Sequence, residues 1–146
     1  MQAETQLSSR LVSPLVERLT AATGFILLTG GTFVVAAFDP TSHGFFPVCP
    51  LYTMTGLACP GCGLTRGFHA LFHGDVTTAL DFNALLPLWA VILAWVWASL
   101  FLLAIRGKGL PMWPTRPRFL WTFMILLMTF GVLRNLPFYP LSILFP

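Results

Sequence analysis

Two long uncharged runs of apolar residues dominate the hydrophobic pattern of the chain. Leu19 to Phe38 and Leu85 to Ile105 each provide about 20 residues without a charge, the length that a helix needs to cross a bilayer core. A third apolar run, Phe119 to Leu133, is shorter and can span if Arg118 and Arg134 reach from its ends towards the headgroups. The pattern predicts an all-α membrane protein with three transmembrane helices.

The runs also define the organisation of the chain. A polar N-terminal arm covers residues 1–18, and a single membrane domain covers residues 19–146. Within this domain the pattern predicts spans at residues 19–38, 85–105 and 119–133. One long loop, at residues 39–84, connects the first two spans.

The second half of the long loop has a helical pattern. Apolar residues recur from Leu64 at positions i, i+4, i+7 and i+8, which predicts a short amphipathic or re-entrant helix. The opposite face carries polar side chains, namely Arg66, His69 and His73. Asp75 is the expected N-cap of the following helical turns. In the first half of the loop, prolines are expected to prevent helix formation before the cysteines.

Composition and charge agree with a membrane location. Hydrophobic residues make up 56% of the 146 residues and charged residues only 9%, against about a quarter in soluble domains. The basic residues cluster before the first run and between the last two, at Arg10, Arg18, Arg106, Lys108, Arg116 and Arg118. The positive-inside rule predicts a multi-pass membrane protein with a cytoplasmic N-terminus and with the long loop and the C-terminus outside. The basic residues show no pattern typical of nucleic-acid binding.

The long loop carries all three cysteines of the chain, Cys49, Cys59 and Cys62. In an oxidising compartment two of them would pair, and a structural disulfide would stabilise the loop by about 2–4 kcal/mol. The C-x-x-C spacing also fits a redox pair, in which the following helix and Arg66 make Cys62 the more reactive sulfur. A third hypothesis is a zinc or iron site formed by the three cysteines, with His69 or His73 as a further ligand.

Polar residues on the predicted outer side suggest a second kind of site. Arg66 and Thr65, at the start of the amphipathic helix, can bind an anionic group such as a lipid headgroup. Arg134 and Asn135 follow the third span and are expected at the same membrane face. Arg134 is predicted either to snorkel or to point inwards, where it would pair with Asp75 or Asp81 or hold an anion.

The run PVCPLYTMTGLACPGCGLTRGFHALFHGDVTTALDFNALLPL, with the later RNLP, resembles the family of small bacterial membrane proteins called domain of unknown function 2752 (DUF2752). The resemblance covers residues 47 to 137, and its core is CPGCGLTR followed by Gly-Asp and Asn-x-Leu. The positions that match the motif are Cys49, Cys59, Pro60, Cys62, Gly63, Thr65, Arg66, Gly74, Asp75, Asn83, Arg134 and Asn135. His69 and His73 are not part of it. The resemblance implies a helical membrane fold in the bacterial cytoplasmic (inner) membrane and implies no particular reaction.

Three functional hypotheses remain open at this point. The first is a non-enzymatic accessory or scaffold protein with a structural cysteine loop and no cofactor. The second is a membrane thiol-disulfide protein that uses Cys59 and Cys62, with Cys49 as a resolving thiol. The third is the metal site. Apart from the lipid bilayer, the expected partners are another membrane protein or a second copy of the chain. No pattern typical of a hydrolase triad or a nucleotide-binding loop is present, so we expect no enzymatic activity.

Overall fold

A computed structural model describes residues 14–42, 44, 46–111 and 117–138, and within these residues every regular element is a helix. In chain order the helices are α1 (Pro14–Ala37), α2 (Pro50–Thr55), α3 (Leu64–Phe72), α4 (Val76–Phe82), α5 (Leu86–Arg106) and α6 (Pro117–Leu133). The described part of the chain contains no β-strand, which confirms the all-α class. Most of the predicted N-terminal arm and the end of the predicted outward C-terminus, residues 1–13 and 139–146, lie outside the described residues.

Three helices coincide with the apolar runs of the sequence. Helices α1 and α5, of 24 and 21 residues, are long and apolar enough to cross a membrane. Helix α6 has 17 residues and is a shorter apolar helix. Helix α1 begins at Pro14, so the last five residues of the predicted arm are helical.

Among the described residues, one compact unit contains residues 14–31 and 91–111, and in it α1 packs against α5. The ring of Phe25 lies 4.9 Å from that of Trp97 and 5.4 Å from that of Phe101. Two hydrogen bonds link the helices as well: Trp97 Nε1 donates to Thr29 Oγ1 over 2.9 Å, and Arg18 Nη2 donates to the carbonyl of Ile105 over 2.8 Å.

The other compact unit contains the described residues of 32–90 and residues 117–138, and its centre is the pair of helices α3 and α4. Ala70, Ala79 and Leu86 form its buried apolar cluster, against which α3 packs its predicted apolar face. Gly67 is buried where α3 approaches α4 most closely: an added Cβ atom would lie 3.1 Å from the carbonyl oxygen of Ala79. The amphipathic pattern that begins at Leu64 therefore correctly indicates the face of α3 that packs against this cluster.

Helix α2 was not expected, because the loop before the cysteines is rich in proline. Pro50 occupies the first helical position, where the missing N–H costs little and the fixed φ favours a helix. Gly56 ends α2 with a φ of +72°, and its amide donates to the carbonyl of Tyr52 over 2.9 Å. The prediction that prolines exclude a helix here is therefore wrong.

Asp75 is the N-cap of α4, as predicted. Its Oδ1 atom accepts hydrogen bonds from the amide of Thr78 over 3.0 Å and from the hydroxyl of Thr77 over 2.8 Å. The hydroxyl and the amide of Thr78 hold the pKa of Asp75 below its usual value.

This cap leads to a testable pH dependence. A lowered pKa means that the ionised cap stabilises α4 above the usual aspartate pKa of about 3.9 and that this stabilisation is lost as the pH falls through the lower pKa. We expect the Thr78 amide of the wild-type protein to lose protection from hydrogen exchange over this range. Asp75→Asn, which keeps a neutral capping oxygen, should show no such loss, and Asp75→Ala should be unprotected at every pH. Equal protection in all three proteins would contradict the cap.

Candidate metal centre

Three cysteine thiols meet in the segments that precede α2 and α3. The Sγ atom of Cys59 lies 3.4 Å from that of Cys49 and 3.2 Å from that of Cys62. All three sulfur atoms lie within 4.8 Å of one another. Thiolates around one ion at a metal–sulfur distance of about 2.3 Å are separated by about 3.8 Å in a tetrahedral site. The two shorter separations differ from this value by about 0.4 and 0.6 Å, so the cluster lies near the geometry of a metal site.

None of these sulfur–sulfur distances corresponds to a disulfide bond, in which the two atoms are about 2.05 Å apart. Cys49, Cys59 and Cys62 are free thiols in the structure. The predicted structural disulfide is therefore not supported, whereas the proximity of Cys49 to the C-x-x-C pair is observed.

The sequence Cys-Pro-Gly-Cys-Gly builds the turn that places Cys59 beside Cys62. The Cys62 amide donates to the Cys59 carbonyl over 2.9 Å, which closes a four-residue turn with Pro60 at its second position. Gly63 has a φ of +83°, a conformation that glycine adopts without a steric penalty. The Cys59 amide in turn donates to the Cys62 sulfur over 3.1 Å. Helix α3 starts directly after this turn, at Leu64.

The electrostatic environment differs between the first and the last cysteine. Cys49 is the N-cap residue of α2, and the backbone N–H of Tyr52 favours its thiolate, which lowers the pKa of Cys49 to about 7. Burial raises the pKa of Cys62 to about 12, and its contact with the Cys59 thiol adds to the effect. These pKa shifts favour thiolate formation at Cys49 rather than at Cys62, which was predicted to be the more reactive sulfur.

The side chain of Arg134 forms hydrogen bonds to the cysteine turn. It follows α6 directly and is fully buried, with 0% of its surface exposed. Its Nη1 donates to the carbonyl of Cys59 over 2.9 Å and to that of Cys62 over 3.1 Å, and its Nη2 lies 3.5 Å from the carbonyl oxygen of Phe82. The predicted snorkelling position is wrong, because the side chain is buried. Its hydrogen-bond partners are carbonyl groups rather than the predicted aspartates.

Two asparagines complete the support of this turn. Asn83 is 1% exposed, and its Nδ2 donates to the carbonyls of Pro60 over 2.9 Å and Cys62 over 3.0 Å. Asn135 pairs with the main chain of Ala58: its Oδ1 accepts from the amide and its Nδ2 donates to the carbonyl, both over 2.8 Å. Sequence reasoning gave neither asparagine this role, although both belong to the motif positions of the resemblance. The buried polar or charged residues among those described, Asn83 and Arg134, thus both form hydrogen bonds to the cysteine turn.

A cavity of about 260 Å³ adjoins the cluster. Cys49 and Cys62 contribute to its wall, and Thr65 and Arg66 line it as well. The guanidinium group of Arg66 is exposed and lies 6.0 Å from the centre of the Phe82 ring. Of the residues predicted to bind an anion, the structure therefore brings Thr65 and Arg66 to the cavity beside the cysteines, whereas Arg134 and Asn135 support the turn itself.

The histidines and Asp75 lie elsewhere. His69 Nδ1 is 2.8 Å from the carbonyl oxygen of Val35, and His73 Nδ1 is 2.8 Å from the carbonyl oxygen of His69. The cluster of potential metal ligands in the described residues contains the three cysteines and neither of these histidines. Asp75 is exposed and occupied as a helix cap, and is not a ligand in this cluster.

Comparison with known proteins gives a match to one family model and indicates no activity. A search of curated proteins and a search of solved structures found no match. A family model described as "Protein of unknown function (DUF2752)" matches residues 49–97. The match contains the three cysteines and Asn83, whereas Arg134 and Asn135 lie beyond it. The resemblance noted in the CPGCGLTR run is thus supported: residues 49–97, about a third of the chain, match the model of the DUF2752 family.

Proposed function

We propose that the chain is a non-enzymatic membrane accessory protein that binds a divalent, thiophilic metal ion such as zinc through Cys49, Cys59 and Cys62. The observation that carries this proposal is the convergence of three thiol groups, whose sulfur atoms all lie within 4.8 Å of one another. Thiolates are the ligands that zinc and other soft or borderline ions prefer. A structural disulfide would need two of these sulfurs at bonding distance and would leave the third without a role.

The charge of Arg134 also supports an anionic cluster. A guanidinium group is always protonated in proteins, and burying it is costly unless it is compensated. The carbonyl groups of Cys59 and Cys62, both in the cysteine turn, accept hydrogen bonds from the guanidinium group and provide part of this compensation. Three thiolates around a divalent ion carry one net negative charge, which Arg134 balances. A cluster of three neutral thiols would leave the buried cation without a negative partner.

The membrane location is supported by the exposed surface of the apolar helices. Large apolar side chains on α1 and α5 are largely exposed, among them Ile26 at 67%, Leu27 at 70% and Val91 at 67%. Soluble monomers rarely expose apolar patches of this extent, whereas lipid covers them. With the positive-inside rule, the cysteine cluster faces the extracytoplasmic side.

The test of the proposal is the metal content of the full chain purified in detergent. We expect one equivalent of zinc per chain, measured by elemental analysis, and its loss in Cys49→Ser, Cys59→Ser and Cys62→Ser. Thr53→Ser, a conservative change in α2, is the matched control and should retain the metal. Zinc bound equally well by the three cysteine variants would contradict the proposal.

Thiol alkylation before and after reduction separates the other hypotheses. A metal site predicts three thiols that react after chelation without any reductant. Only one reactive thiol before reduction and three after it would show an internal disulfide and overturn the metal proposal. In that case a mixed disulfide trapped with another protein would distinguish the redox role from the purely structural one.

A further inference from the structure

We propose that the metal ion keeps one coordination position open towards the adjoining cavity and that a small anion, steered by Arg66, occupies this position. The inference rests on the proposed function, because it needs the ion that Cys49, Cys59 and Cys62 hold. It adds the class of ligand that the site receives from outside the chain.

The number of protein donors is the first argument. In the described residues, the cluster supplies three sulfur donors and contains no histidine or carboxylate donor. Zinc takes four ligands, so a site with three protein donors leaves the fourth position to water or to another small molecule. The three thiolates supplied by the described residues therefore leave one position for such a ligand.

The position of the cavity is the second argument. Cys49 and Cys62 both line the cavity, so a ligand within it can reach an ion held between them. Its volume of about 260 Å³ exceeds the roughly 30 Å³ that a water molecule occupies in the liquid. It lies just below the range of about 300–1,000 Å³ typical of pockets for drug-sized ligands. The cavity therefore has room for a small ligand larger than a single water molecule.

The chemistry of the wall is the third argument, and it defines the ligand. Arg66 and Thr65 supply a cationic group and a hydroxyl, which favour an anion. Phe46, Pro47 and Val48 form an apolar part of the same wall. Arg134 already balances the negative charge of the metal cluster, so the charge of Arg66 remains for an incoming ligand. The ligand class is a small anion with a metal-binding donor atom and a short apolar body, such as a thiolate or carboxylate.

Cobalt(II) in place of zinc makes the open position visible, because the absorption bands of the ion respond to a change of ligand. The experiment titrates the cobalt-loaded full chain in detergent with azide as the anionic probe and with imidazole as the neutral probe. We expect azide to change the spectrum with saturation. Arg66→Gln should weaken azide binding by about tenfold, the lower end for a hydrogen bond between charged groups, and should leave imidazole binding unchanged. Arg118→Gln, which removes a cation that does not line the cavity, should behave as the wild type.

The outcomes separate the two proposals. One cobalt per chain with a spectrum that azide does not change would mean a closed coordination sphere, which overturns this inference and leaves the metal site intact. Azide binding that Arg66→Gln does not weaken, or weakens together with imidazole binding, would overturn the role of Arg66. A chain that takes up no cobalt or zinc would overturn both proposals.

Discussion

Replacing Arg134 by methionine is expected to lower the affinity of the chain for zinc by about 10- to 100-fold, the loss typical when a group that orients metal ligands is removed. The guanidinium group binds the carbonyls of Cys59 and Cys62 over 2.9 and 3.1 Å and thereby fixes the turn that presents both sulfurs. Methionine has a similar length and fills the space, but it donates no hydrogen bond and carries no charge. Competition with a chelator of known affinity, on the full chain in detergent, measures the change.

Two further variants sharpen this experiment. Arg134→Lys keeps the charge but cannot reproduce the planar guanidinium, so we expect an affinity between those of the wild type and Arg134→Met. Arg118→Met removes an exposed cation from the first turn of α6 and should leave zinc binding unchanged. Wild-type affinity in a folded Arg134→Met protein would show that the buried cation does not serve the site. If Arg134→Met does not accumulate as folded protein, Asn135→Ala tests the support of the turn through its pair of hydrogen bonds to Ala58.

Substituting Gly67 by alanine is expected to lower the free energy of unfolding by about 1–3 kcal/mol, the range for an extra methyl group in a packed interface. The new Cβ atom would lie 2.9 Å from Cδ1 of Leu86 and 3.1 Å from the carbonyl oxygen of Ala79. The leucine side chain can rotate, but the carbonyl belongs to the backbone of α4, so α3 and α4 must separate. Denaturant titration in detergent, followed by circular dichroism, measures the effect.

Gly31→Ala is the control for this prediction. An added Cβ atom at Gly31, also within a helix, would meet no described atom within 4 Å apart from its chain neighbours and the nearby backbone of its own helix. It should therefore be at least as stable as the wild type, since alanine favours a helix over glycine by up to about 1 kcal/mol in water. Equal stability of Gly67→Ala and Gly31→Ala would show that the close approach of α3 and α4 does not contribute to the fold.

The helices were the part of the fold that the sequence predicts best. Uninterrupted apolar runs and the spacing that begins at Leu64 are local patterns, and each coincides with a helix to within five residues at its start. Helix α2 was missed because proline was interpreted as a helix breaker, whereas Pro50 stands at the one helical position that suits it. The prediction failed because it did not consider where in a helix Pro50 would stand.

The environment of the candidate site could not be predicted from local patterns. An arginine at the end of an apolar run is commonly a snorkelling residue. No local pattern in the sequence indicates that Arg134 binds the carbonyl of Cys62, which lies 72 residues earlier in the chain. The same limit applies to Cys62. The C-x-x-C spacing before a helix favours a reactive thiolate at this position, but burial of the side chain raises the pKa of the thiol. The three cysteines themselves were identified, because their residue type already restricts their chemistry.

The support of the turn by residues that follow α6 has a consequence for biogenesis. Asn135 binds Ala58 across 77 residues of sequence, and Arg134 binds Cys59 across 75. While the chain emerges from the ribosome, the cysteine segment is therefore synthesised well before the groups that shape it. In the proposed metal site, the ligands therefore reach their final positions only after α6 has been synthesised and has packed, so metal loading would mark the completion of the fold.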